Sequence, residues 1–512
     1  MLFVSRITSL KNFILVPLIL VFLFTVIVSN YDFDREVYSQ QEGDMSMQIS
    51  SDSEESITSY IDALIKAPLL VSQSTIVGIV FSQIILSNLL RNRILLVNSD
   101  RSNNTVKIDR GIVKRIVSVL TLSVAALIVS ASCLFILQIY NLSTELSLGF
   151  SDTFSILINT SIGTVWLLRI ITSIMIIIFS TTYFIYMRRG LHSNESFSKG
   201  VSKLSYIFLC VILISGSINL MSNSMVSHNA ATEFLPLLAV SVDWFHVMGV
   251  SIWLGGLFYL SLILLYIIRT SGKEIKEETN DSSSIEIREK QIEIRRSYSL
   301  AVTLPYFSMI AIICLGVIGI TGLYMAWLQL QSVGSLFNSA YGNILILKLC
   351  VIVPMIILGA YHQIKLHCVM VRTVSRESEL LEQPKILSDS KQGKDSKISP
   401  NKSGDRYDPF IRFSKTVKIE SLIGIAVLII SAFLTITSPP TMVHSDSQMQ
   451  MSGSGSQLGD SITEDEKVAI PKISDGFTIA AIILGVVVLV MSLYYYRRNK
   501  HELKSTISLL RK

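Results

Sequence analysis

The sequence predicts an all-α, polytopic helical membrane protein: an eight-helix core with an N-terminal signal or anchor helix before it and an extra helix after it. Half of the 512 residues are apolar and only 16% are charged. The apolar residues gather in blocks of about twenty or more, the length that crosses roughly 30 Å of hydrocarbon. Lys and Arg are shared unequally between the segments that separate those blocks. A soluble fold would need many successive buried helices, each far longer than the usual length of about a dozen residues.

Ten blocks are expected to be helical: 12–29, 69–90, 113–139, 166–187, 204–222, 240–268, 304–328, 344–367, 418–437 and 476–496. The first follows Arg6 and Lys11 and reads as a signal anchor or signal peptide over residues 1–29. Its apolar run is long for a cleaved signal, and Ile27-Val28-Ser29 is a poor small-residue cleavage site, which favours the anchor. Residues 30–68 form an extracytoplasmic Met-bearing segment, and 69–440 the eight-helix domain with its long loops at 269–303 and 370–416. An extracytoplasmic Met/His linker (441–475), a last helix (476–496) and a basic tail (497–512) complete the chain.

Charge sets the expected orientation. With the N-terminus in the cytoplasm, only Arg35, Lys66, Lys467 and Lys472 of the 44 Lys and Arg fall in outer segments. Arg169 and Lys348 lie within the outer ends of helices, where snorkelling to phosphate is the default. Outer segments are acidic instead, as at Asp52 to Glu55 and Glu464 to Glu466. This is the positive-inside pattern for the cytoplasmic membrane, with both termini cytoplasmic if the first helix stays attached. The net charge of +6 is then a topology signal with no bearing on nucleic acid, and the basic partner is the lipid bilayer.

The loops read as tethers. Residues 269–303 mix acids and bases, and Glu286–Arg296 has the pattern of a short salt-laced helix. Residues 370–416 are rich in Ser, Lys and Asp with three prolines, a linker composition. The Met-Ser-Gly-Ser-Gly-Ser run after Gln450 is a flexible tether to the last helix. The cysteines (133, 210, 314, 350 and 368) show no close pair and no Cys-x-x-Cys, so they read as apolar fillers.

The most informative segment is Asp243-Trp-Phe-His246 through Trp253-Leu-Gly-Gly256. It starts a membrane-length apolar run with a carboxylate and an imidazole. On a helix Asp243, His246, Trp253 and Gly256 fall close to one face. Polar groups in hydrocarbon are costly and face a cavity or a partner. Neutral imidazole is a common metal ligand, and a neighbouring carboxylate fixes its tautomer.

Soft ligands are placed unevenly. His228, His246 and His444 lie at the expected outer face, as do Met45, Met47, Met221, Met225, Met442, Met449 and Met451. Met45-Ser-Met47 and Met449-Gln-Met451 sit in hydrophilic loops with no core to fill. Thioether sulfur suits Cu(I), and imidazole suits copper in either oxidation state. The alternative is that these are stray loop methionines.

The 204–222 block adds polarity: Ser215, Ser217, Asn219, Ser222 and, just beyond it, Asn223. If helicity continues, Met221, Met225 and His228 share a face. A hydrated cavity is the favoured reading, and interhelical hydrogen bonding the alternative. His362 and His367 sit near the inner end of their helix on different faces, which argues against a joint site. Gly316, Gly319 and Gly322 form a seam for close helix approach. No catalytic triad, P-loop or zinc-protease motif is present, so the chain is not expected to be an enzyme or an ATP-driven pump.

The Asp243–Gly256 segment resembles the signature helix of the copper-resistance protein D (CopD) membrane domain. Four further segments agree in order: Gly163-Thr-Val-Trp-Leu-Leu-Arg169, Ser227-His228-Asn-Ala-Ala231, Tyr341-Gly-Asn-Ile-Leu-Ile-Leu-Lys348, and Arg412-Phe through Lys418-Ile-Glu420 with Pro439-Pro440. The resemblance implies copper transport across the cytoplasmic membrane, often beside an extracytoplasmic CopC-like copper-binding partner. Fused members of the family carry that β-sandwich in the same chain. Residues 30–68 are too short for it.

The expected function is therefore copper transport, with copper as substrate, in copper homeostasis or resistance. His228 and His246 are the expected ligands, with Met221 and Met225 beside them and Asp243 orienting His246. Met45, Met47, His444, Met449 and Met451 are the expected outer collectors. Ligands concentrated on one face favour uptake over export. Two alternatives are a b-haem redox protein with His246 as axial ligand, and a copper-binding sensor or scaffold that moves nothing.

Overall fold

With no water in hydrocarbon, each apolar block must satisfy its backbone internally, and a helix does so. The computed structural model describes residues 54–97, 102–190, 200–228, 230, 236–277, 282–330, 332–362, 409–441 and 494. Among these residues there is no strand, and ten helices follow in order. They are α1 (Glu54–Val97), α2 (Ser102–Leu146), α3 (Phe150–Ile158), α4 (Ser161–Gly190), α5 (Gly200–Ser224), α6 (Pro236–Glu277), α7 (Ser282–Gln329), α8 (Val333–Asn338), α9 (Ala340–Tyr361) and α10 (Pro409–Leu434).

Eight of these helices are long and apolar enough to cross a membrane: α1, α2, α4, α5, α6, α7, α9 and α10. They correspond to the eight central blocks, and the protein is a multi-pass, all-α membrane protein. Several helices outrun their apolar blocks. α1 begins at Glu54, and α7 begins at Ser282, so the expected salt-laced segment 286–296 is the first part of a continuous helix. The blocks at 12–29 and 476–496 lie outside the described residues, as do Met45, Met47, His444, Met449 and Met451.

α1 and α6 form the middle of the bundle. α1 packs against α2, α5, α6 and α10, α6 packs against α7 and α10, α4 pairs with α5, and α9 with α10. At the α1–α6 crossing two glycines meet. A Cβ on Gly78 would strike the backbone of Ser251 and Gly255, and one on Gly255 would strike the backbone of Gly78. Ser74 and Ser251 hydrogen bond across the same crossing at 3.1 Å. Small residues are what allow two helix backbones to come this close. The outer faces are apolar: Leu122, Val129 and Ile136 of α2 form an exposed stripe at heptad spacing, as lipid-facing side chains do.

α9 sits at the edge, with Leu347, Val353 and Ile357 exposed. Pro354 interrupts its backbone hydrogen bonding midway, a local weakness in an otherwise regular helix.

Candidate metal centre

The polar stripe of α6 faces a partner helix, α7. A Cβ on Gly249 would lie 3.1 Å from Ile318 Cγ1, and one on Gly256 would lie 2.6 Å from Phe307 Cε2. Between these positions and the start of α6, His246 meets α7 where Gly322 leaves room for its ring: a Cβ there would stand 3.1 Å from His246 Cε1. The expected glycine seam on α7 thus has a defined neighbour at Gly322. The imidazole Nδ1 lies 3.0 Å from Thr321 Oγ1. That hydroxyl already donates to Val317 O at 2.6 Å, so it accepts from the ring and places the proton on Nδ1. The other nitrogen, Nε2, is then the one with a free lone pair, as a metal ligand requires.

His246 is ten residues from Pro236, about 15 Å along the axis, and so stands inside the span. Asp243, one turn earlier, is electrostatically coupled to Lys348 and Tyr341 of α9, and Lys348 in turn to His246. Lys348 is half-buried, and the charges of Asp243 and His246 act on it, an influence the snorkelling expectation did not include. Tyr324 and Trp327, one and two turns beyond Thr321, bury their Oη and Nε1 with no hydrogen-bond partner among the described residues.

Arg169 also departs from the snorkelling expectation. It is 7% exposed, with Trp166 stacked 4.6 Å below its guanidinium. Its Nε donates to Ser222 Oγ at 3.0 Å and a terminal nitrogen donates to Asn223 Oδ1 at 2.9 Å. Asn219 donates to Thr172 Oγ1 (2.8 Å) and accepts from Gln73 Nε2 (2.6 Å), and Asn223 donates to Gln73 Oε1 (2.7 Å). These bonds tie α1, α4 and α5 together. Asn219, Ser222 and Asn223 of α5 are therefore cross-links between helices, the alternative to the hydrated cavity that was favoured. Their amides are satisfied by one another and leave little capacity for a ligand.

α5 ends at Ser224, before the expected Met-His stripe is complete. Met221 and Met225 are each 1% exposed within the apolar core cluster. His228 is half-buried in the turn that follows. Among the described residues no three His, Cys, Asp or Glu side chains come close enough to share a metal ion, so His228, His246 and Asp243 do not form such a cluster.

One pairing was missed. His362, at the end of α9, packs its Nδ1 3.2 Å from Glu420 Oε2 of α10, and both residues are buried. It lies at the other end of the bundle from His246.

The family model described as "Copper resistance protein D" aligns with this chain from Ala301 to Leu434. Residues 301–434 match copper resistance protein D. The matched stretch holds α7 from residue 301 onward and the whole of α8, α9 and α10, and with them Thr321, Lys348, His362 and Glu420. It supports the CopD resemblance read from the motifs. The copper transport protein CutJ of Bacillus subtilis (strain 168) is 28% identical over 222 residues, 43% of this chain. Those residues span only 29% of that relative's length. No solved structure matches.

Proposed function

We propose that this protein moves copper across the cytoplasmic membrane, with uptake favoured over export. The observation that carries the reading is the match of residues 301–434 to copper resistance protein D, and the similarity to a copper transport protein supports it. Within that frame His246 is the ligand with the best-defined geometry. Its Nε2 lone pair is free by the hydrogen-bond argument above, and Asp243 supplies a negative charge one turn away for the incoming cation. His228 is the proposed second imidazole, and the buried thioethers of Met221 and Met225 are the proposed soft donors. Cu(I) accepts few ligands and favours soft ones, so a relay of imidazole and thioether stations suits it. Binding at each station must be weak enough to permit release. A CopC-like extracytoplasmic protein is the proposed donor.

Copper content of the purified full-length protein after equilibrium dialysis with Cu(I) tests this reading. Bound copper that falls in His246→Gln is expected; no bound copper would refute it. A Soret band in the same sample would favour the haem alternative, which requires an axial imidazole in the bundle.

Orientation is open to a separate test. Cysteine placed at Ser143 or Ser332 is expected to react with a membrane-impermeant label from outside, and cysteine at Ser282 to be shielded. The reverse pattern would place the His246 end inside and turn uptake into export.

The loop methionines 45, 47, 449 and 451 are proposed to raise local copper concentration. Leucine at Met449 and Met451 keeps bulk and removes the sulfur. Uptake is expected to weaken at low copper and to recover at saturation, because a tether acts through effective concentration. A loss that persists at saturation would place these residues on the obligatory path.

A further inference from the structure

The two halves of the bundle are built alike. α1 to α5 and α6 to α10 each run as two long helices, a short helix and two more long helices. α1 packs on α2 and α5 as α6 packs on α7 and α10, and α4 pairs with α5 as α9 pairs with α10. Each short helix, α3 or α8, packs on the long helix that follows it. Contacts between the halves are reciprocal as well: α1 meets α10 and α7, while α6 meets α5 and α2.

The likeness extends to single residues. Ser74 and Gly78 of α1 match Ser251 and Gly255 of α6, 177 positions on. Each touches its own counterpart. Ser74 Oγ lies 3.1 Å from Ser251 Oγ, a Cβ on Gly78 would meet Ser251 O and Gly255 Cα, and one on Gly255 would meet Ser74 O and Gly78 Cα. Self-matched contact of this kind is what a two-fold axis produces. Further along the chain the offset is 179. Thr160 Oγ1 accepts from Gly163 N at 3.3 Å and Ser339 Oγ from Gly342 N at 2.9 Å, which caps α4 and α9 in the same way. A Cβ on either glycine would run into the carbonyl of a leucine in the preceding short helix, Leu157 or Leu336. Six residues after each glycine stands a base, Arg169 or Lys348. Near the other end, Tyr183 of α4 meets Ser205 of α5 as His362 of α9 meets Thr416 of α10.

The halves differ where the chemistry lies. Asp243 and His246 of α6 fall at the positions of Lys66 and Leu69 in α1. Lys66 is paired with Asp62 at 2.8 Å, and neither an ammonium nor an alkyl chain binds a metal cation. Arg169 is held by Ser222 and Asn223. Counting on from Ser205 and Thr416, those two acceptors become Phe433 and Leu434, so α10 offers Lys348 no side-chain acceptor there. Lys348 lies under the charge of Asp243 instead. The first half thus carries bases and an alkyl chain where the second carries a carboxylate and an imidazole. The crossing between the halves gives no passage, since at Gly78 and Gly255 the two backbones leave no room even for a methyl group.

We propose that the chain is a tandem repeat whose second half alone carries copper across the membrane, past Asp243 and His246, while the first half and the α1–α6 crossing stay fixed as its support. The inference rests on the copper-transport reading. α5 meets α6 at Trp244, whose Nε1 donates to Ser217 O at 3.1 Å. Met221, Met225 and His228, at that end of α5 and just beyond it, serve to hand copper to the second half. Each half holds four spans, so the two share one orientation, and the axis relating them runs along the membrane normal. Many transporters built from repeats place their site between the repeats and rock one against the other. Here the path lies inside one repeat, and that rocking is excluded.

The test joins the halves. Ser74→Cys with Ser251→Cys puts two thiols where hydroxyls stand 3.1 Å apart, within reach of a disulfide. The full chain is reconstituted in proteoliposomes and oxidised with diamide, and the cross-link is counted as the loss of two maleimide-reactive thiols after denaturation. Cu(I) held reduced by ascorbate is the probe. Cross-linked protein is expected to move copper as the wild type does, and His246→Gln in the same background to abolish the flux. Flux that disappears on oxidation and returns with a phosphine reductant, while single-cysteine variants are unaffected, would overturn the proposal, because the halves would then have to move apart. Lys66→Gln, at the first-half position of Asp243, needs no cross-link and decides the matter if the double variant fails to fold. It is expected to stay within about two-fold of wild-type flux, as a substitution at the surface does. Asp243→Asn is expected to fall by roughly 10–100-fold. An equal fall in Lys66→Gln would put the first half on the path and overturn the proposal. Absence of copper flux in the wild type overturns transport itself, whereas flux that the cross-link stops leaves transport standing and removes only the fixed crossing.

Discussion

Leucine at Gly255 is expected to prevent assembly of the bundle. The first atom of the new side chain would fall on the backbone of Gly78, and no rotamer relieves a clash made by Cβ. α1 and α6 would have to separate, opening the Ser74–Ser251 hydrogen bond and the contacts of Ile76, Val77 and Leu254 with the core. Overpacking of a side-chain core costs about 1–3 kcal/mol, and a backbone-on-backbone clash belongs at or above the top of that range. Fluorescence-detected size exclusion in detergent is expected to show aggregated or absent Gly255→Leu protein. Gly334→Ala is the matched control: it lies in the exposed turn of α8, where a Cβ meets only Ser332 Oγ at 3.5 Å, and should elute as wild type. A monodisperse Gly255→Leu protein of wild-type thermal stability would mean that α1 and α6 do not cross as described.

The second large effect is expected at His246. Replacement by alanine removes the proposed ligand but also leaves a hole against Gly322 and strips Thr321 of its donor. Replacement by glutamine separates these effects, since its amide fills the space and keeps a donor for Thr321. If His246 binds copper, both variants should lose copper flux by about 100-fold or more, exceeding the roughly 10–100-fold expected of a group that only orients a ligand. Asp243→Asn should fall within that smaller range. If His246 is only packed between α6 and α7, glutamine should restore flux where alanine does not.

Hydropathy made the architecture legible, because the bilayer demands long apolar helices and the eight central blocks meet that demand. It did not mark where helices end. α1 starts at Glu54 and α7 at Ser282, in polar stretches whose helicity comes from backbone propagation and has no hydrophobic signature. The α1–α6 crossing did leave a trace: Ser74, Gly78 and Ser82 recur every fourth residue, as do Ser251 and Gly255. That spacing is the small-residue pattern of close helix pairs.

The site was legible in part. Asp243 and His246 stood out because polar groups are rare in such helices, whereas Lys348 was read only as a snorkelling lysine, without the influence of the Asp243 charge on it. Arg169 was misread in the same way, because its partners on α5 were assigned to a cavity when they are its hydrogen-bond acceptors. The His362–Glu420 pair has no local signal. Its members are 58 positions apart, with a polar linker between them, and only the packing of α9 on α10 brings them together.

Copper flux into proteoliposomes is the most direct measurement of the central claim. Full-length protein would be reconstituted, its orientation established by labelling at Ser143 and Ser282, and loaded in turn with Cu(I) and Cu(II) from the His246 side. Saturable entry of copper that collapses in His246→Gln is the predicted result. Entry no faster than in empty vesicles for either oxidation state, from either side and with the protein correctly folded, would contradict it.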